Sequence, residues 1–132
     1  MTETSATETA VAAGPVTFLV EHRTVGAGSG PTIRVVGADD SHEYLRFDMF
    51  SEGPHYHYSP PTTPESEATE RILKLDTVAD GEAVAWAITT LRSRLAPMLE
   101  AAGGERLAAK LDDSTVGRAV DEVETLARSV QR

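Results

Sequence analysis

Apolar and polar residues alternate along the first half of this chain and recur at helical intervals along the second. Val16, Phe18 and Val20 alternate with Thr17 and Glu21, which predicts a first strand over about Pro15 to Thr24, because strand side chains repeat every two residues. Ile33 and Val35 mark a second strand. A third, His42 to Phe50, carries Leu45, Phe47 and Met49 on one face and His42, Tyr44, Arg46 and Asp48 on the other. His55-Tyr56-His57-Tyr58 reads as a fourth, and Arg71 to Asp76 alternates again as a fifth. The segment Gly26 to Pro31 is expected to be a hairpin loop, with turns at Gly37–Ser41 and Ser51–Pro54. Pro60 to Glu67 is expected to be a mobile loop, since its prolines cannot donate to a sheet ladder.

From Asp80, an expected N-cap, the period becomes helical. Val84, Ile88, Leu91, Leu95 and Met98 form one apolar stripe, with a kink or restart expected at Pro97 and a stop at Gly103-Gly104. A short helix is expected around Leu107 to Leu111. A last helix, capped by Asp113 or Ser114, has Val116, Val120, Val123, Ala127 and Val130 along one seam. Short connections between the strands imply an antiparallel meander. The predicted fold class is therefore α+β: an antiparallel sheet of four to five strands (about 15–76), then two long helices and one short helix (about 80–131) packed on one of its faces.

Composition narrows the picture. The chain has 132 residues, 40% of them hydrophobic, which suits one domain with a single core. Residues 1–14, rich in Thr, Glu and Ala, read as a disordered tail, leaving 15–132 as the domain. Twelve Lys and Arg against 21 Asp and Glu leave a net charge of −9. Such a balance repels phosphate backbones, so no nucleic-acid partner is expected. The chain has no cysteine, which excludes disulfides and thiolate ligands. Met1 to Gly14 holds no Lys or Arg and no apolar run is long enough to span a bilayer, so a cytoplasmic protein without membrane contact is the simplest expectation.

The chemistry concentrates in the strand half. His22, His42, His55 and His57 all lie there and the helical half has none. On a strand, His55 and His57 share a face, and two neutral imidazoles make part of a site for a divalent metal. A third ligand must come from a neighbouring strand, and His22, His42, Asp48 and Glu52 are the candidates. Two histidines and a carboxylate suit Zn, Mn, Fe or Ni. The alternative is that the histidines are ordinary hydrogen-bonded strand residues.

Strand parity also gathers Arg23, Arg34 and Arg46 with Glu21 and Asp48 on the face opposite the helices. That face is either a pocket for a small anionic ligand, with Tyr44 or Tyr56 as its aromatic wall, or a solvated surface laced by cross-strand ion pairs. Trp86 falls on the back of the first long helix, where it is either tucked under the preceding loop or part of a subunit interface. The valine seam of the last helix could pair with its own copy in a homodimer. No nucleophile elbow, zinc helix or dinucleotide fingerprint is present in the sequence.

The stretch His42-Glu43-Tyr44-Leu45-Arg46-Phe47-Asp48-Met49-Phe50, continuing through Gly53-Pro54-His55-Tyr56-His57-Tyr58, resembles an uncharacterised family of small microbial domains. That resemblance implies a fold and brings no activity with it. The His-x-His on a strand also resembles a degenerate cupin, although the carboxylate a cupin places soon after the pair and the second cupin motif are missing. Two functional expectations follow. The first is a metal- or anion-binding protein, extending to a metal-assisted enzyme. The second is a non-catalytic accessory subunit or dimeric interaction module that docks on a larger protein.

Overall fold

The computed structural model describes residues 4–5, 8–61 and 71–131. Its strands are β1 (Thr4–Ser5), β2 (Thr9–Ala13), β3 (Val16–Val25), β4 (Gly28–Gly37), β5 (Glu43–Asp48), β6 (His55–Tyr58) and β7 (Arg71–Lys74). The helices are α1 (Ala83–Ala101), α2 (Glu105–Ala108) and α3 (Asp113–Val130). All strand pairs are antiparallel, and β3 to β7 form the expected meander. Both β1 and β2 pair with the edge of β3 that β4 leaves free, so seven strand segments fill six positions of an open sheet. Among the described residues the strands form one sheet, whereas a cupin likeness would imply the two packed sheets of a jelly roll.

The N-terminal expectation needs correction. Thr9–Ala13, placed in a disordered tail, instead form a ladder with Val16–Val20 and bury Val11 and Ala13 beside Phe18 and Val16. Two small apolar groups at alternate positions suffice because β3 supplies the partner edge and α3 the cover. The expected Gly26–Pro31 loop shrinks to Gly26 and Ala27, since Val25 already pairs with Gly28. Gly26 has φ 60°, which a two-residue hairpin needs and glycine supplies without strain. The part of the expected mobile loop beyond Pro61 lies outside the described residues.

Parity sorts the two faces of the sheet. Phe18, Val20, Ile33, Val35, Leu45 and Phe47 are buried beneath the helices. α3 packs across β2, β3 and β4, and α1 lies against β5 and the other two helices. The valine seam of α3 is thus used inside the chain: Val116, Val120, Val123 and Ala127 are all buried in the core. α1 runs unbroken through Pro97, and its N-cap is Glu82 rather than Asp80. Glu82 accepts hydrogen bonds from the Val84 and Ala85 N–H groups, whereas the Asp80 carboxylate turns back to accept from the Asp76 N–H. α3 is capped by Asp112, not by Asp113 or Ser114 as expected.

Candidate metal centre

The site is built by the register of β5 against β6. Asp48 stands opposite His55 and Arg46 opposite His57, so all four side chains emerge on the face away from the helices. β4 adds Thr32 opposite Asp48 and Arg34 opposite Arg46, and β3 adds Glu21 and Arg23 beyond them. The polar face inferred from strand parity is therefore present. It is not simply wet, for Glu21, Arg23, Thr32, Asp48 and His57 are buried.

Asp48 is the hub. One of its carboxylate oxygens accepts from Thr32 Oγ1 at 2.8 Å and Arg23 Nη1 at 3.0 Å. The other accepts from Arg46 Nε at 3.0 Å and lies 3.1 Å from His57 Nε2 and 3.2 Å from His55 Nε2. Burial alone would raise the Asp48 pKa. The His57 contact, the Arg46 charge and the Thr32 hydroxyl outweigh it and hold the carboxyl far below the ordinary carboxylate range. Asp48 is thus an anion at any physiological pH.

The two imidazoles are oriented differently. His55 Nδ1 lies 2.8 Å from the Gly53 carbonyl oxygen, which can only accept, so Nδ1 carries the proton. In the neutral ring, Nε2 then presents a bare lone pair to the Asp48 oxygen. His57 Nε2 sits 3.0 Å from Arg46 Nη2 and 3.1 Å from Asp48. It accepts from Arg46 in one tautomer or donates to Asp48 in the other, one at a time. The two rings meet edge to face at 4.9 Å, and Phe50 packs edge-on to His55 at 5.8 Å, which steadies the pair.

The potential ligand atoms of Asp48, His55 and His57 all lie within 4.8 Å of one another. Ligands about 2.0–2.2 Å from a metal stand roughly 3.0–3.5 Å apart in octahedral or tetrahedral arrangements. Both imidazole–carboxylate separations fall in that range. The His55 side chain is 24% exposed, so the site has a path to solvent.

Other expected ligands are elsewhere. His22 Nδ1 bonds the Val130 carbonyl at the end of α3, on the helix side of the sheet. His42 Nε2 bonds the Ser59 carbonyl at 2.6 Å and its ring packs against Tyr44. Glu52 is exposed in the turn before β6 and is not one of the converging groups. The anionic-ligand pocket is not assembled as drawn, because each of its guanidinium groups already faces carboxylates. Arg23 pairs with Asp48, Arg34 with Glu21 at 2.7 Å, and Arg46 with Asp48 and Glu43. The expected aromatic walls are on the other face. Tyr56 points toward α1, and a bulge between Val35 and Val36 turns Tyr44 into the core, where it donates to Asp40 at 2.7 Å.

Residues 10–127 match the family model of a domain of unknown function, DUF7700. The chain belongs to that family. The expectation of an uncharacterised domain family holds at that level. No curated protein and no solved structure matches the chain. What this DUF7700 domain does must therefore be argued from its own groups. Among its described residues no helix is long and apolar enough to cross a membrane. Sequence reasoning gave no role to Thr32, whose hydroxyl is revealed as an Asp48 partner only by the β4–β5 register.

Proposed function

We propose that the DUF7700 domain binds one divalent transition metal through Asp48, His55 and His57. The observation that carries the reading is the orientation of His55. Its Nδ1–H is spent on the Gly53 carbonyl, so its Nε2 lone pair faces a carboxylate oxygen 3.2 Å away. Two electron-rich atoms at that distance repel unless a positive charge lies between them, either a metal ion or a proton. A backbone carbonyl that fixes the remote N–H is also how metal-ligating histidines are commonly held.

Two histidines and one carboxylate suit Zn²⁺, Mn²⁺, Fe²⁺ or Ni²⁺ and leave coordination positions for water or a substrate. A metal held this way would supply Lewis-acid polarisation and an acidified bound water. Arg46 Nη2, 3.0 Å from His57 Nε2, must give way for such an ion, while the neighbouring Nη1 already donates to Glu43 at 3.4 Å. The positive charges of Arg23 and Arg46 set the affinity lower than the ligand set alone would give.

Elemental analysis of untagged protein, before and after equilibration with Zn²⁺ or Mn²⁺, tests the reading. About one equivalent in the wild type and none in the His55→Ala/His57→Ala variant is the expected result. Metal absent from both leaves the proton as the charge in the gap. The polar face is then a structural ion-pair network, and the accessory-subunit reading takes precedence.

A further inference from the structure

Tyr56 and Tyr58 alternate with the two histidines, so they project from β6 toward α1, on the opposite side of the sheet from the metal triad. There Trp86, the only tryptophan of the chain, lies 5.0 Å from the Tyr56 ring and 6.0 Å from Phe47. The two tyrosine rings are 5.9 Å apart. Trp86 therefore packs on aromatic rings of β5 and β6. It forms one wall of a groove between α1 and β6.

Arg94, Pro97 and Met98 follow Trp86 at intervals that keep them on the same side of α1, and they complete a groove of about 480 Å³. That volume is within the usual range for small-molecule sites. The groove is lined mainly by aromatic and apolar side chains, with Thr90 and Arg94 among its polar groups. Arg94 is exposed at its rim and pairs with no carboxylate among the described residues. Two residues away, Arg92 is tied to Asp121 at 2.7 Å and Glu124 at 3.5 Å, so among the described residues α1 separates a paired guanidinium from one without a carboxylate. A second guanidinium, Arg71, stacks on the Tyr58 ring at 4.2 Å. In a chain of net charge −9, an arginine that meets no carboxylate among the described residues and lines a groove with three aromatic rings suits negative charge on an apolar body.

We propose that this groove binds a small aromatic carboxylate, its ring against Tyr56, Tyr58 and Trp86 and its carboxylate on Arg94. Offset stacking and edge contacts with the three rings hold the apolar part, and the guanidinium fork reads the two carboxylate oxygens. The anion site suggested by strand parity on the triad face is thereby moved to the other side of the sheet, where Tyr56 lines it together with Arg94. The proposal is independent of the metal reading, since it shares no side chain with the triad.

The lone tryptophan gives one indole N–H resonance, and that resonance is the readout. ¹⁵N-labelled protein is titrated with 2-naphthoate and, separately, with the neutral analogue 2-naphthylmethanol. The expected result is a saturable shift of the Trp86 indole signal with 2-naphthoate and about tenfold weaker binding of the alcohol, the size of one charge-assisted contact. Arg94→Gln, an exposed substitution that leaves the core intact, is expected to weaken 2-naphthoate about tenfold and leave the alcohol unchanged. No saturable shift overturns the proposal. So does equal affinity for acid and alcohol, or an Arg94→Gln variant that binds 2-naphthoate like the wild type.

Discussion

The Nε2 atom of His55 lies 3.2 Å from a carboxylate oxygen of Asp48, while the other nitrogen of the same ring bonds the Gly53 carbonyl. Antiparallel pairing of β5 with β6 places the two residues directly opposite, so the contact is a property of the sheet and not of a loose surface side chain. Most of what can be tested about this domain follows from that pair and the groups around it.

Asp48 satisfies buried donors from three strands. Asp48→Ala removes the carboxylate oxygen that Arg23 Nη1 and Thr32 Oγ1 share, and with it the buried Arg23–Asp48 ion pair. Breaking a buried ion pair in this way costs about 3–5 kcal/mol. Urea denaturation of the variant is expected to show a loss of that size. A loss under about 1 kcal/mol would mean the carboxylate is not the hub of the polar face.

The same carboxylate makes the fold acid-sensitive. Its folded pKa is depressed below the ordinary value of 3.8, so its stabilisation is fully present above that value. It is lost progressively as pH falls from there toward the folded pKa. Thermal unfolding followed through acid pH should show a falling Tm below about pH 4 in the wild type. Asp48→Asn should begin lower and fall less steeply. An equal slope in the two proteins would contradict this assignment.

Tyr44 should mark the alkaline side. Burial first, and then its hydrogen bond to Asp40, push its phenol from 10.0 up to about 12. A group whose folded pKa is raised stabilises fully below the unfolded value and loses that contribution as pH rises through the folded one. Phenolate absorbance should show a tyrosine titrating near pH 12, and Tyr44→Phe should remove that step. Its persistence in Tyr44→Phe would assign the late step to another ring.

The Arg46 guanidinium lies 3.0 Å from His57 Nε2, so under the proposed function it competes with the metal for the mouth of the triad. Arg46→Met keeps the apolar stem and removes the charge. The variant is expected to bind Zn²⁺ about tenfold more tightly, the effect of lifting roughly 1.4 kcal/mol of repulsion. Competition with a chromogenic chelator measures it. Weaker binding in Arg46→Met would show instead that the guanidinium helps assemble the site.

Much of this was legible in the chain. The His-x-His spacing fixed a shared face for His55 and His57, and strand parity correctly set Arg23, Arg34, Arg46 and Asp48 on the face away from the helices. That Asp48, and not Glu52, His22 or His42, joins His55 and His57 was not legible. It depends on cross-strand register, which the turn between β5 and β6 sets. Tyr44 was misplaced because a bulge breaks the alternation there, and no residue in the pattern announces it. Thr9–Ala13 escaped notice because a short run of small residues becomes a strand only when a neighbouring edge accepts it. The partners of Trp86 were not legible because Phe47 and Tyr56 come from strands whose position a helical wheel does not include.

The most direct measurement is the state of the His55 and His57 ring nitrogens, read by long-range ¹H–¹⁵N NMR in the metal-free protein and after adding one equivalent of Zn²⁺. The predicted result is a His55 ring protonated at Nδ1 throughout, with the Nε2 signals of both histidines moving to metal-bound positions when Zn²⁺ is added. A His55 ring that carries protons on both nitrogens near neutral pH, with neither histidine responding to Zn²⁺, would contradict the metal-site account.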